Sequence, residues 1–299
     1  MRISLLLGPL RLPFLLLTPA CIAVGVGTAH WQTGHVDPRL AFIVLVGAVA
    51  SHASVNAFNE YFDFKSGLDA MTVRTPFSGG SGMLPAQPSL ARATLWMACA
   101  ALVLAGAIGL YVIHLRGWGL LPLGLMGAVL VVTYTSWWAH NSLMCLIAPG
   151  LGIGVFMVMG THFALTGSYS TTAFVAALCP AFLVSDLLLL NQFPDVEADR
   201  TVGRKNYPIT HGRPAAATLY GALLALAYAS LFAGVAVAWL PKMSLLALLT
   251  SPIAFAAWRG ARYNADDVPA LLSAMRLNVI VNLLTPVLLA MGLIMSARA

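Results

Sequence analysis

Two short polar windows interrupt an otherwise greasy chain: Asn59-Glu60-Tyr61-Phe62-Asp63-Phe64-Lys65-Ser66-Gly67-Leu68-Asp69 and Asn191-Gln192-Phe193-Pro194-Asp195-Val196-Glu197-Ala198-Asp199-Arg200. Of the ten Asp plus Glu in 299 residues, six fall in these windows. Carboxylates beside a membrane are costly unless something pairs with them. Asn59 and Asp63 are four residues apart and share a helix face, with Asn56 on the same side. Asp69 follows Gly67 and can fold back from a loop. Asn191, Asp195 and Asp199 repeat at four-residue spacing, one polar stripe if the helix continues, with Pro194 as a place to bend. Carboxylate and amide oxygens suit Mg2+, which commonly bridges to substrate phosphates. Facing each other, the windows would hold metal ions with one diphosphate between them. Arg74, Arg200, Arg204 and Lys205 would donate to phosphate oxygens directly. The bland alternative is a set of membrane-edge acids paired with Lys65, Arg200 and Arg204; matched spacing in two windows favours the metal reading.

The elements that must position these windows are membrane spans. The chain is 60% hydrophobic and 9% charged, where a soluble domain carries about a quarter charged residues. Apolar runs of about 20 residues, enough to cross a bilayer core, recur. They predict nine helices, at roughly 12–31, 40–62, 91–114, 118–137, 143–165, 172–193, 215–240, 243–261 and 278–296. The expected fold is an all-α bundle of nine transmembrane helices around a central cavity, one membrane-embedded domain over 1–299. The first run keeps Arg11 and Pro13 at its start and continues past Gly25, more like a spanning helix than a removable signal. Four single cysteines scattered in apolar segments argue against a disulfide framework or a zinc site.

Lys and Arg set the orientation. With the N-terminus in the cytoplasm, twelve of the sixteen basic residues fall inside, Arg2 among them, and four outside: Arg39, Arg116, Lys242 and Arg298. Both acidic windows then face the cytoplasm, as do the loops at about 63–90 and 194–214. The net charge of +6 reads as a topology signal and an attraction for anionic headgroups or phosphates. No nucleic-acid-binding pattern is present. The windows echo each other, Asn59-x3-Asp63 and Asn191-x3-Asp195, four helices apart, which suggests two related halves meeting at a cavity.

A metal and phosphate site bordering lipid implies a substrate that is anionic at one end and greasy at the other. An isoprenyl diphosphate fits. Metal and cationic side chains would stabilise the leaving diphosphate, and aromatics would shield an allylic cation. Phe58, Tyr61, Phe62, Tyr134, Trp137, Trp138 and Phe193 are the aromatic candidates. His140, in a short loop near the windows, is a candidate base for the acceptor. The Gly79-Gly80-Ser81-Gly82 run, beside Arg74, is expected to form a lid. Asp186, nine residues before Asp195, points to the opposite face, where it would be neutral or bonded to another helix. Asn278 and Asn282 are expected to hydrogen-bond between helices, and His114 and His162 to pack.

With these residues in view, the chain resembles the UbiA superfamily of intramembrane prenyltransferases. Asp195-x3-Asp199, followed by Arg200 and Gly203-Arg204-Lys205, matches the superfamily's second aspartate motif. Asn59, Asp63 and Asp69 match the first, with Glu60 where Asp is usual. The stretches Asn59–Asp69 and Arg74–Gly82, together with Gly154–Phe163, are similar to the 1,4-dihydroxy-2-naphthoate, menaquinone-pathway branch. The resemblance implies Mg2+-dependent transfer of a prenyl chain to an aromatic acceptor on the cytoplasmic face of a bacterial inner membrane. Asn59, Asp63, Asp69, Asp195 and Asp199 would hold metal, with Asp63, Asp195, Asp199 and His140 in the chemistry. Asn191, Arg74, Arg204 and Lys205 would bind the diphosphate. A terpene cyclase on the same scaffold, or a membrane transporter, are the competing readings; polar residues gathered at one face rather than the midplane weigh against a carrier.

Overall fold

The computed structural model describes residues 8–297, and among them there are helices and turns but no strand. Arg2 and Arg298, used in the orientation, lie outside the described residues. Among the described residues seven helices are long and apolar enough to cross a membrane: α2 (Pro38–Lys65), α3 (Pro88–Arg116), α5 (Ser142–Thr166), α6 (Thr171–Asn191), α7 (Arg213–Ala236), α8 (Lys242–Tyr263) and α9 (Val268–Met295). An eighth span, α1, is a bent pair, Gly8–Leu15 and Leu17–Thr33, meeting at 43°. The segment expected at 118–137 is the shorter helix α4 (Trp118–Thr133). Seven full-length spans, or eight with the bent pair, therefore stand where nine were predicted. Hydropathy counts apolar residues and does not see that the chain leaves the helix at Thr133 for turns around Trp137 and Trp138.

Local chemistry sets the helix ends. Asp37 caps α2 by accepting from the backbone N–H groups of Arg39 and Leu40, with Pro38 in the first turn. Asn141 caps α5 and Asp267 caps α9 in the same way. At its other end α2 runs to Lys65, and Gly67, at φ 79°, turns the chain back into the short helix Leu68–Met71. A side chain is disfavoured there by its own backbone conformation. That reversal carries Asp69 back toward Asp63.

The packing is asymmetric. The largest apolar cluster joins α1, α6, α7, α8 and α9 through residues such as Val24, Leu183, Leu231, Leu271 and Leu289. Inside α5 the hydrogen bonding widens to a π-helix over Gly150–Phe156, just after Pro149. There a Cβ on Gly150 would lie 2.3 Å from the Ala181 carbonyl oxygen, and one on Gly154 2.4 Å from Ala181 Cα. Small residues let α5 and α6 approach this closely. On the other side α2, α3 and α4 stand around open space. Asp186 is fully buried on α6 and does not line that space. Asn282 donates to the carbonyl and side-chain oxygens of Asn278 on its own helix. The expected bond between helices is replaced by one within α9, because four-residue spacing places the two side chains in reach of each other. His162 is buried with Nδ1 3.0 Å from Thr28 Oγ1, and His114 is exposed.

Candidate active site

One cavity of about 630 Å³ runs from the cytoplasm-assigned end of the bundle into the space between α2, α3, α4, α5 and α6. Its polar mouth collects Asn59 and Asp63 from the end of α2, Asp69 from the following turn, and Asn191, Asp195 and Asp199 from the second window. Every metal-ligand candidate of the sequence thus faces one space. The second window does not continue as one helix. α6 ends at Asn191, a turn spans 192–195, and a new short helix covers Val196–Thr201. Pro194 and the Gln192 carbonyl, which accepts from the Asp195 N–H at 3.2 Å, shape that turn. Both Asp195 and Asp199 still reach the cavity, from two pieces instead of one stripe.

Arg204 joins the windows. Its guanidinium donates to Asp63 Oδ1 and, at 3.0 Å, to Asp199 Oδ1. Asn206 donates to the other oxygen of Asp199 at 2.8 Å. Burial pushes the Asp69 carboxyl up to about 7, reinforced by Glu60 and Asp63 nearby. Burial likewise pushes Asp195 up to about 7, with Asp199 adding to it. Oxygens on Asp69, Asn191 and Asp195 are buried with no hydrogen-bond partner among the described residues. Such orphans are expensive unless a ligand completes them.

The loop after α2 is pinned to the mouth. Glu60, fully buried, pairs with Arg11 at 3.3 Å and accepts from the backbone N–H and the hydroxyl of Ser81. Gly80 sits at φ 71°, and a Cβ there would lie 2.8 Å from Asp69 Oδ1. The glycine run expected to form a lid thus stands beside Asp69 at the cavity mouth. Gly79 and Gly80 both line the cavity.

Three comparisons place this geometry among known proteins. Residues 18–294 match the UbiA prenyltransferase family. The chain belongs to that family. The 1,4-dihydroxy-2-naphthoate octaprenyltransferase of Bacillus subtilis is 30% identical over 203 residues, 64% of this chain and 61% of that protein. The Escherichia coli protein of the same name is 27% identical over 236 residues, 76% of this chain and 75% of its own length. The chain thus spans about three fifths of the Bacillus relative's length. Among solved structures, a UbiA homologue from Aeropyrum pernix K1, in its apo form, superposes with TM-score 0.74 at 17% identity, over 95% of this chain and 98% of that one. A UbiA homologue from Archaeoglobus fulgidus, described as bound to GPP and Mg2+, gives TM-score 0.68 at 17% identity over 98% and 100%. These likenesses establish a UbiA fold in a multi-pass membrane protein.

For a UbiA member using a divalent cation, the donor set fits. Among the described residues no three of His, Cys, Asp or Glu gather tightly enough to cage an ion by themselves. Mg2+ does not need such a cage, since it is held by one or two carboxylates with water and substrate phosphates making up the rest. Orphaned oxygens of Asp69, Asn191 and Asp195 on the same cavity meet that description.

Several sequence candidates stand elsewhere. Arg74 is exposed and directs a long 3.5 Å contact at the Asp69 carbonyl, with its guanidinium against Gly82. Lys205 is exposed, and Arg200 pairs on the surface with Glu197 at 2.9 Å. His140 is exposed at the end of the turn Trp138–His140, and it is Ala139 that faces the cavity. Of the aromatic candidates only Tyr134 lines the cavity; Phe58 and Phe62 stack on each other, and Phe193 is core. The aromatics that do face it, Phe14, Phe77 and Phe156, come from α1, the glycine loop and the π-helix. Sequence reasoning also missed Arg11 and Asn206. Arg11 lines the cavity with its Nε buried and without a hydrogen-bond partner among the described residues. Its only signal was a basic residue at the start of a span, which was read as topology.

Proposed function

We propose that this chain transfers a prenyl group from an isoprenyl diphosphate to an aromatic acceptor, 1,4-dihydroxy-2-naphthoate or a similar quinone precursor, with Mg2+. The proposal places it in a bacterial inner membrane with nine passes, the N-terminus and the cavity mouth on the cytoplasmic side. The positive-inside distribution of Lys and Arg supports the orientation. Two bacterial relatives bearing the octaprenyltransferase name support the acceptor. The reading rests on one observation above all: a single cavity has acidic and amide oxygens at its mouth and apolar walls behind them.

Asn59, Asp63, Asp69, Asn191, Asp195 and Asp199 would hold the metal with the diphosphate. Bound Mg2+ would neutralise charge on the diphosphate as the allylic carbon–oxygen bond breaks. Arg204 and Arg11 would donate to the diphosphate oxygens, Arg204 by loosening its hold on Asp63 and Asp199. Phe14, Phe77, Phe156 and Tyr134 give the apolar part faces that tolerate positive charge and exclude water. The leaving diphosphate keeps the bonding electron pair, the ring carbon forms the new carbon–carbon bond, and the ring proton leaves to the diphosphate or water. His140 stands outside the cavity and takes no part in this scheme, nor do Arg74 and Lys205.

The test is incubation of purified protein with a radiolabelled prenyl diphosphate, Mg2+ and candidate acceptors. Labelled prenyl-naphthoate that disappears in Asp63→Asn and Asp195→Asn supports the roles. Diphosphate release with no acceptor present would favour a cyclase. Transfer undiminished in both variants would overturn the proposal.

A further inference from the structure

The helices packed away from the cavity hold a second polar group that the proposed chemistry does not use. Among the described residues, twelve buried side-chain N and O atoms have no hydrogen-bond partner, and four of them belong to the cavity residues Arg11, Asp69, Asn191 and Asp195. Five more belong to Asp186 on α6, Tyr220 on α7, and Asn278 and Asn282 on α9. These four side chains are each 0% or 1% exposed, and none of them lines the cavity. One face of α9 brings the group together. Asn278, Asn282 and Thr285 are spaced four and three residues apart and share that face. Thr285 Oγ1 lies 2.7 Å from Thr250 Oγ1 on α8, which in turn lies 2.8 Å from the Tyr228 hydroxyl on α7. The face therefore looks into the half of the bundle built from α6, α7 and α8. Asp186 stands within electrostatic reach of the Tyr220 and Tyr228 hydroxyls and bonds to neither. Depths along the helices agree with this placement. Asp186 is five residues, about 8 Å, from the cytoplasm-assigned end of α6, and Tyr220 is seven residues, about 10 Å, from that of α7. Arg213 ties those two ends by donating to the Phe193 carbonyl at 2.9 Å. Asn278 is ten residues, about 15 Å, into α9.

We propose that Asp186, Tyr220, Asn278 and Asn282 form an internal hydration site, in which buried water bridges α6, α7 and α9. Five dry polar atoms inside a membrane bundle would be costly. Among the described residues no cationic side chain pairs with Asp186 to offset its burial. The donor set selects water over a bound ion. Asp186 and Asn282 present acceptors, Asn278 presents a donor, and the Tyr220 hydroxyl can act as either. A bare cation takes oxygens alone and would meet the amide protons of Asn278. Water donates and accepts at once, and a buried water makes about three bonds. Polar groups that face one another beyond direct bonding distance are where bridging water sits. The site gives α6 a polar joint away from the cavity, and it stands whether or not the chain transfers prenyl groups.

The direct test is X-ray radiolytic footprinting of the full-length protein, because water held beside a side chain oxidises it even where bulk solvent has no access. Tyr220 and Met275 are both 0% exposed, Met275 standing three positions before Asn278. Both are expected to be oxidised. Leu231, equally buried in the apolar core, should be spared, each rate being normalised to that of the unfolded chain. Labelling of Tyr220 and Met275 no greater than that of Leu231 overturns the proposal. Substitution gives a second readout. In a hydrated site Asp186→Leu strands the groups that water joined, so the apparent melting temperature in detergent should fall by about 5 °C. Asp186→Asn keeps hydrogen-bonding atoms and should lose less than half of that. In a dry site the order reverses, since leucine removes two unmade bonds and stabilises the fold. A rise in melting temperature in Asp186→Leu would therefore also overturn the proposal. Should Asp186→Leu fail to fold, footprinting of the parent protein and of Asp186→Asn decides. Stabilisation by sodium chloride over choline chloride that Asp186→Asn abolishes would overturn it too, putting a cation where water is proposed.

Discussion

Arg204 holds together the two halves of the site before any ligand arrives. Its side chain is 16% exposed and donates to Asp63 on α2 and to Asp199 in the second window. Replacing it by methionine keeps most of the volume and removes the charge. Two nearly buried carboxylates, at 8% and 4% side-chain exposure, then face each other without a cation. Breaking a buried pair by removing one partner costs about 3–5 kcal/mol, because the remaining charge is left uncompensated. For a chain of this size, 1 kcal/mol moves the melting temperature by about 2–4 °C, so Arg204→Met should lower the apparent melting temperature in detergent by about 10 °C. Mg2+ can supply the missing positive charge at the same carboxylates. The deficit should therefore shrink by half or more when millimolar Mg2+ and pyrophosphate are added, while transfer activity stays low for want of the arginine's donors. The assay is thermal unfolding of both proteins with and without Mg2+ and pyrophosphate. Equal melting temperatures in the metal-free state would refute the reasoning. So would a deficit in Arg204→Met that Mg2+ leaves unchanged.

Further outcomes follow from the same geometry. Gly80→Ala combines a disfavoured φ of 71° with a Cβ 2.8 Å from Asp69 Oδ1; it should cost about 1–3 kcal/mol and weaken Mg2+-dependent pyrophosphate binding, read by calorimetry. Glu60→Gln removes the charge that holds Arg11 and weakens the anchor of Ser81; trypsin or chymotrypsin should then cut the 67–90 loop faster than in the parent protein, and equal cleavage rates would show that Glu60 is not its anchor. With no metal bound, Asp69 and Asp195 titrate near 7, above the ordinary carboxylate range, so they are mostly neutral at pH 6 and mostly charged at pH 8. Divalent cations need the charged form. Mg2+ affinity should therefore rise with pH across that window, with proton release measurable as a buffer-dependent binding enthalpy; an affinity flat from pH 6 to pH 8 would contradict it.

How much of this was legible in the sequence depended on what each signal measures. Spans were readable because lipid demands unbroken apolar helices, and the site acids because charge is so scarce that six of ten fall in two windows. The metal-ligand candidates Asn59, Asp63, Asp69, Asp195 and Asp199 all face the cavity. The short α4 was not readable, since hydropathy continues through Trp137 and Trp138 after the helix has stopped. The placement of Arg74, Lys205 and His140 failed for a different reason. Proximity along a loop does not fix the direction of a side chain: Lys205 and His140 are exposed, and the Arg74 guanidinium lies against Gly82 and the Asp69 carbonyl without lining the cavity. Arg11 was hidden because its role depends on Glu60, 49 positions away, and no local pattern links the two. Phe156 reaches the cavity from the end of the π-helix, whose wider winding breaks the 3.6-residue periodicity on which face assignments rest.

The most direct test of the shared site is a binding cycle with inorganic pyrophosphate and Mg2+, read by calorimetry on the parent protein, Asp63→Asn, Asp195→Asn and the double variant. If the ends of α2 and α6 grip one metal-bound diphosphate, each single substitution weakens binding by about tenfold or more, and the double variant loses much less than the sum of the two. Binding that survives at parental affinity in either single variant, or losses that simply add, would mean that the two windows do not act on one ligand.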